Sequence, residues 1–499
     1  MTRGGARSSS DRARWAAVVL ACVAQFMVIL DVSVVNVALP SIRDALGFST
    51  TGLQWVVNAY TLAFAGFLLL GGRMADLLGQ RRVFIGGLLL FSVASLVGGL
   101  ADSQGTLVAA RAAQGLGGAI ISPASLAIIT NTFSDGRDRN KALGAWGAMG
   151  GAGGAFGVLL GGVLTDLLSW QWILFINVPI GLAAIFLAPR FVAEVRDAGG
   201  ARRFDVSGAV TITLGLVLIV FAIVRTEVNG WGSAQTIVVL AAGFALIGAF
   251  LLIEGRFAKR PLMPLRIFRS RLLSGANAVV FLLGCAMFAM WYFVSLYLQQ
   301  VLGYSPLEAG LAFLPMTATI IVGSTVASRI TGRFGVKPLL VGGMALQALG
   351  LLLFSGVSPD GGYASDVLVP SLLVAAGIGT AFVPITIAAV SGVRPGEAGL
   401  ASGLVNTSRQ MGGALGLAIL ATVATARTDA LGGAEHGSAG AMHAALTGGF
   451  QRAFEVGAGF ALVGALVALT VLQIERRPAA VRTGEGAALA DGALDGPRT

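Results

Sequence analysis

The feature that most constrains this 499-residue chain is a recurrence. Apolar runs of about 20 residues, each long enough to cross a bilayer as a helix, follow one another from Trp15 to Ile474. Fourteen runs can be read, at 15–38, 52–71, 83–101, 105–130, 142–165, 170–189, 206–224, 234–253, 272–298, 307–327, 338–357, 367–390, 399–424 and 453–474. A helix satisfies its own backbone donors and acceptors, which is the condition for entering lipid. Barrel strands need short segments of alternating polarity, and the runs do not alternate. Charged residues are only 12% of the chain, against about 25% in soluble domains. So little charge cannot cover a soluble surface of this size, and the expected class is an all-α integral membrane protein.

Basic residues orient the runs. With the N-terminus inside, external loops carry only Arg43, Arg225, Arg427 and Arg452, while Arg111 and Arg409 fall within spans. The rest of the 34 Lys and Arg lie in the tails and the alternate, intracellular loops. The +10 charge therefore reads as topology and not as a nucleic-acid surface. Both termini are expected in the cytoplasm of a multi-pass protein of the cell (inner) membrane. Runs 206–224 and 234–253 hold no charged residue, which favours spanning over interfacial helices and gives fourteen spans.

An internal repeat divides the chain. Gly72–Arg82, GRMADLLGQRR, aligns with Ser328–Pro338, SRITGRFGVKP, 256 residues later. Each follows the second helix of a six-helix group, the pattern of two parallel halves. The expected order is an N-tail (1–14), a six-helix bundle (15–190), a linker with two extra transmembrane helices (191–271), a second six-helix bundle (272–474) and a disordered cytoplasmic C-tail (475–499). In the first loop, Asp76, Arg81 and Arg82 can form a charged latch, with Gly72 and Gly79 allowing tight turns. The second copy has Gly332 in place of Asp76.

GRMADLLGQRR resembles the signature loop of the major facilitator superfamily. LDVSVVNVALP (30–40) resembles the first-helix motif of its drug:proton antiporters. WQWILFINVPIGL (170–182), YLQQVLGYSPLEAG (297–310) and GLASGLVNTSRQMGGALG (399–416) are similar to its fourteen-helix, EmrB/QacA-like branch. RAAQGLGG (111–118) resembles the family's fourth-helix motif. Gly144, Gly153, Gly157, Gly161 and Gly162 resemble its antiporter motif, with Val158 where a proline normally follows Gly157. The resemblance implies a close-packed hinge without a proline kink. It also implies a proton-coupled exporter of lipophilic small molecules.

Charges inside the bilayer are expensive, about 2.5–3.5 kcal/mol each on insertion scales, so Asp31, Arg111 and Arg409 are informative. At 1.5 Å per residue, Asp31 and Arg111 reach a similar depth in the outer half of the membrane. They are expected to pair. A dry site favours a neutral carboxyl group and a nearby arginine favours an ionised one. Alternating the two conditions at Asp31 would load and release a proton; a static ion pair is the alternative. Arg409 lies near the midplane with no acidic neighbour in sequence. One buried acid against two buried arginines disfavours dications and suits neutral or weakly acidic lipophiles. Gln25, Asn58, Tyr60, Asn177, Trp291, Tyr292, Asn406 and Arg409 are candidate cavity residues. Glu308 and Asp166 are weaker candidates, and His436 and His443 fall in an expected external loop.

Other classes lack their residues. Lys141, Lys259 and Lys337 precede Ala, Arg and Pro, so there is no P-loop. No acid, His or Cys cluster suggests an enzyme, metal or cofactor, and Cys22 and Cys285 lie in apolar runs. The expected partners are a lipophilic substrate, protons and the lipid bilayer, with no nucleic acid and a monomeric state. A dedicated exporter of one metabolite or self-made antibiotic, a lipid or uptake carrier, and a non-transporting sensor stay open.

Overall fold

The computed structural model describes residues 3–133, 137–194, 206–257, 265–391, 398–432 and 439–471. Their regular secondary structure is all helical, with no strand among them. In chain order the helices are α1 (Arg3–Leu46), α2 (Thr50–Leu78), α3 (Gln80–Gly99), α4 (Gln104–Thr132), α5 (Arg137–Leu167), α6 (Trp172–Phe175), α7 (Asn177–Phe191) and α8 (Val206–Asn229). They continue with α9 (Ala234–Leu252), α10 (Arg271–Leu296), α11 (Pro306–Ala312), α12 (Leu314–Phe334), α13 (Val336–Phe354), α14 (Val369–Ser391), α15 (Ala398–Ala430) and α16 (Ala439–Val471). Among the described residues, 11 helical stretches are long and apolar enough to cross a membrane. Beside them run α2, α5 and α8, of 29, 31 and 24 residues.

Side-chain caps start several of these helices. Ser49, Ser103, Ser233 and Ser270 each accept a hydrogen bond from a first-turn N–H, replacing partners the helix cannot supply. Ser305 and Glu308 form a reciprocal capping box at α11, so Glu308 has a structural task.

Two boundaries differ from expectation. Helix α1 begins at Arg3, inside the stretch read as a tail. Helix α16 begins at Ala439, so His443 lies on a helix and not in a loop. Polar first turns hide both starts from an apolar-run reading. His436 and the C-tail from 475 lie outside the described residues.

The helices pack in two sets with the same pairing. Contacts α1–α5, α1–α4, α2–α4, α3–α4, α3–α7 and α1–α7 are repeated as α10–α15, α10–α14, α12–α14, α13–α14, α13–α16 and α10–α16. The aligned loops share a backbone device. Gly79 and Gly335 terminate α2 and α12 with φ of 102° and 83°, a region that glycine enters without steric penalty. Gly72 lies inside α2, so the expected turn there is absent and Gly79 alone makes it.

The sets meet through α2–α15 and through α5 against α11 and α12, while α8 packs on both α2 and α15. Where α1 and α10 end, one apolar core is common to both sets, joining Leu30, Val34 and Leu39 to Leu283, Tyr292 and Leu298. Where those helices begin, the cores are separate. Ala17, Val28 and Phe84 lie in one, and Leu273, Ala388 and Ala401 in another. The apolar core is thus shared at one end of the molecule and divided at the other.

Candidate functional site

Five helices converge on Asp31, which has no exposed surface. Its Oδ2 accepts from Arg111 Nη1 at 2.5 Å. Its Oδ1 accepts from Gln114 Nε2 at 3.0 Å and Asn177 Nδ2 at 2.9 Å. Arg111, 1% exposed, also donates from Nε to the Val56 carbonyl at 3.0 Å and from Nη1 to Gln114 Oε1 at 2.9 Å. Its guanidinium lies 4.5 Å from the Tyr60 ring centroid. Gln114 closes the network by donating to Ser95 Oγ at 2.7 Å, and Tyr60 donates its hydroxyl to the Val28 carbonyl at 3.3 Å.

Local sequence explains the convergence. Arg111 and Gln114 are three residues apart on α4 and so share a face. Asn177 opens α7 just after the break at Ile176. Pro179 falls in the first turn of α7, where a missing N–H is tolerated. The ion pair expected from depth is thus present, and Asn177 and Tyr60, read as cavity residues, belong to it. Gln114 and Ser95 were missed. Gln114 had a signal, because it shares the RAAQGLGG motif with Arg111. Ser95, alone in an apolar helix, had none.

The charges are mutually compensated. Buried ions are tolerated when paired and hydrogen-bonded. Arg111 holds uncharged acceptors besides Asp31, so neutralising the carboxyl group does not strand the guanidinium.

Helix α5 clasps the same stretch of α1. A Cβ on Gly153 would meet Ile29 Cβ at 3.0 Å, one on Gly157 would meet Ser33 Cβ at 2.7 Å, and one on Gly161 the Val34 carbonyl at 2.7 Å. These positions flank Asp31. On another face of α5, a Cβ at Gly162 would meet the Pro306 carbonyl at 2.7 Å, and one at Gly310 the Val158 carbonyl at 2.8 Å. Helix α5 therefore touches both Asp31's helix and the second set. It contains no proline, and Gly144 lies near its start. The second set repeats the device, with Gly412 and Gly416 of α15 against Phe281 and Cys285 of α10.

At the end where the core is shared, Ser295 Oγ donates to the Asn36 carbonyl at 2.7 Å and Gln299 Nε2 to the Val37 carbonyl at 2.9 Å. Pro40 lies inside α1 and has no N–H, so it cannot supply the helical partner of Asn36 O. Ser295 takes that place from the opposite set.

The loop latch has a partner that sequence reasoning missed. Arg81 and Arg82 both place Nε 3.6 Å from Glu194 Oε2, and Arg81 also donates to the Val192 carbonyl. Glu194 lies just beyond α7, more than a hundred residues downstream, where spacing gives no hint. The side chain of Asp76 lies outside the described residues.

The other candidates scatter. Tyr292 is fully buried against Phe293, in the core and not on a cavity wall. Gln25 is buried with Oε1 unpartnered, and Asn58 donates weakly to Gln54 at 3.4 Å. Trp291 stacks on Phe313 at 5.6 Å, leaving Nε1 without a partner. Arg409 donates to Asn406 Oδ1 at 2.7 Å and lies over Phe382. No contact joins this pair to Asp31.

Residues 21–417 match the model of the Major Facilitator Superfamily. The chain is 45% identical over 419 residues to a cephamycin export protein of Amycolatopsis lactamdurans, covering 84% of this chain and 86% of that one. It is 41% identical over 465 residues to a puromycin resistance protein of Streptomyces alboniger, covering 93% and 91%. It is 33% identical to a lincomycin resistance protein of Streptomyces lincolnensis, covering 97% and 96%. Among solved structures, a POT-family peptide transporter in complex with sulfate shares the fold with TM-score 0.65 at 14% identity, covering 91% of this chain and 94% of that one. A nucleoside transporter does so with TM-score 0.63 at 13% identity, covering 91% and 100%.

Proposed function

Because the chain belongs to the Major Facilitator Superfamily, we propose that it exports lipophilic small molecules by alternating access, driven by inward proton flow. Family and fold point to a transporter and not an enzyme. The cephamycin export, puromycin resistance and lincomycin resistance relatives support antibiotics as the cargo.

The observation that carries proton coupling is the buried Asp31 carboxylate, held by Arg111, Gln114 and Asn177. Ionisable groups at this depth in a membrane mark ion pathways. Asp31 takes a proton from one side and yields it to the other as its water access changes. Arg111 meanwhile keeps its contacts with Gln114, Val56 and the Tyr60 ring. The glycine contacts of α5 link that event to the second set, since α1 and α5 cannot slide without moving Ser33 and Leu30 beside Asp31.

The same reading gives fourteen membrane helices of the EmrB/QacA-like branch, with α2, α5 and α8 added to the 11 apolar stretches. It divides the chain into six-helix bundles at 15–190 and 272–474 around a two-helix linker, in the cell membrane, with both termini cytoplasmic and a monomeric state. On this reading the end where the apolar cores are divided faces the cytoplasm. Arg81, Arg82 and Glu194 hold the cytoplasmic loop, which turns at Gly79.

A susceptibility panel in a pump-deficient host tests the reading. The full chain is expected to raise resistance to at least one of puromycin, lincomycin or a cephamycin, and Asp31→Asn to abolish the gain. Unchanged resistance to every compound by the wild type would sink it.

A further inference from the structure

The geometry points to a subsite for an acidic group at Arg409, so that the favoured cargo is an amphipathic anion. This rests on the export reading and narrows its substrate class. Arg409 lies about 17 Å along α15 from its start, at 1.5 Å per residue. A guanidinium carries five N–H donors in a fixed fork. Asn406 takes one contact and Phe382 one face, and no carboxylate pairs with Arg409 among the described residues.

The arginine is also not sealed off. Arg409 keeps partial exposure, and Phe382 beneath it is 36% exposed although it sits well inside α14. A charged group facing acyl chains at that depth would be strongly disfavoured. The exposed face of α14 and α15 therefore lines the aqueous gap that divides the two sets. An apolar plate carrying an unneutralised guanidinium fits a ligand with one acidic oxygen pair beside a lipophilic body. Asp31 does not compete, because its charge is already matched within the first set by Arg111.

Everted vesicles with an imposed pH gradient test this with pyrene-1-butyrate and its uncharged amide. Wild type is expected to accumulate the acid at least tenfold over the amide. Arg409→Gln should lower that ratio at least tenfold, and Arg409→Lys should restore part of it. Thermal melting checks folding; if Arg409→Gln does not fold, Asn406→Leu and Phe382→Leu should each lower the ratio several-fold. Equal accumulation of both probes by wild type, movement of neither, or an unchanged ratio in the folded variants would overturn the inference. None of these outcomes touches the export reading, which stands or falls on the antibiotic panel.

Discussion

The Asn36 carbonyl accepts a hydrogen bond from Ser295 Oγ at 2.7 Å across the boundary between the two helix sets. Pro40, one turn beyond Asn36, leaves that carbonyl without its helical partner. The proline of the first-helix motif thus becomes half of a contact that closes one end of the molecule. A neutral hydrogen bond contributes about 1 kcal/mol net. Ser295→Ala should therefore move the balance of states roughly fivefold toward opening at that end. Distances between spin labels on the ends of α1 and α10 would register it as a longer population, and an unchanged distribution would count against the contact.

Gly157 and Gly154 provide a paired test of the α1–α5 clasp. A Cβ at Gly157 would meet Ser33 Cβ at 2.7 Å and Leu30 O at 2.9 Å, whereas one at Gly154 finds only Ser33 Oγ at 4.0 Å. Overpacking typically costs about 1–3 kcal/mol. Gly157→Ala should reduce transport tenfold or more, and Gly154→Ala less than twofold. Equal effects would show that the helices are not closely apposed there.

The Arg81 and Arg82 contacts with Glu194 are partly exposed, at 3.6 Å. Such pairs contribute about 0–1 kcal/mol. Glu194→Gln should change transport by about two- to fivefold without abolishing it, and the change should shrink at high salt. Complete loss of transport would mean that Glu194 does more than hold the loop.

Gln114 satisfies three groups at once: Arg111, Asp31 and Ser95. Removing it leaves buried polar atoms unpaired, at about 1–3 kcal/mol. Gln114→Leu should lower thermal stability by several degrees and transport by at least tenfold, while Ser95→Ala should have a smaller effect on both. A neutral Gln114→Leu would place the network outside the mechanism.

Much of this was legible in the sequence, for reasons that differ between residues. Length and periodicity reveal apolar helices because lipid imposes a fixed span. Asp31 and Arg111 could be paired because depth follows from rise per residue, so two distant positions share one coordinate. Gly79 was read correctly as a turn residue, and the positive φ it shares with Gly335 is a conformation that favours glycine. Ser95, Glu194 and the stacking of Tyr60 on Arg111 were not legible, because each depends on which helix faces are neighbours. Gly72 was misread for the related reason that a helical glycine and a turning glycine look alike in sequence. Tyr292 was misread because a polar atom on an aromatic ring does not reveal whether the ring faces a cavity or the core.

If Asp31 carries the proton, counting protons in proteoliposomes reveals it. The full chain is reconstituted and supplied with the antibiotic to which it gives most resistance, and substrate-dependent proton movement is recorded under an imposed pH gradient. Wild type is expected to move protons with substrate, and Asp31→Asn to move none while still exchanging substrate across the membrane. Full proton-coupled transport by Asp31→Asn would mean that another group carries the proton.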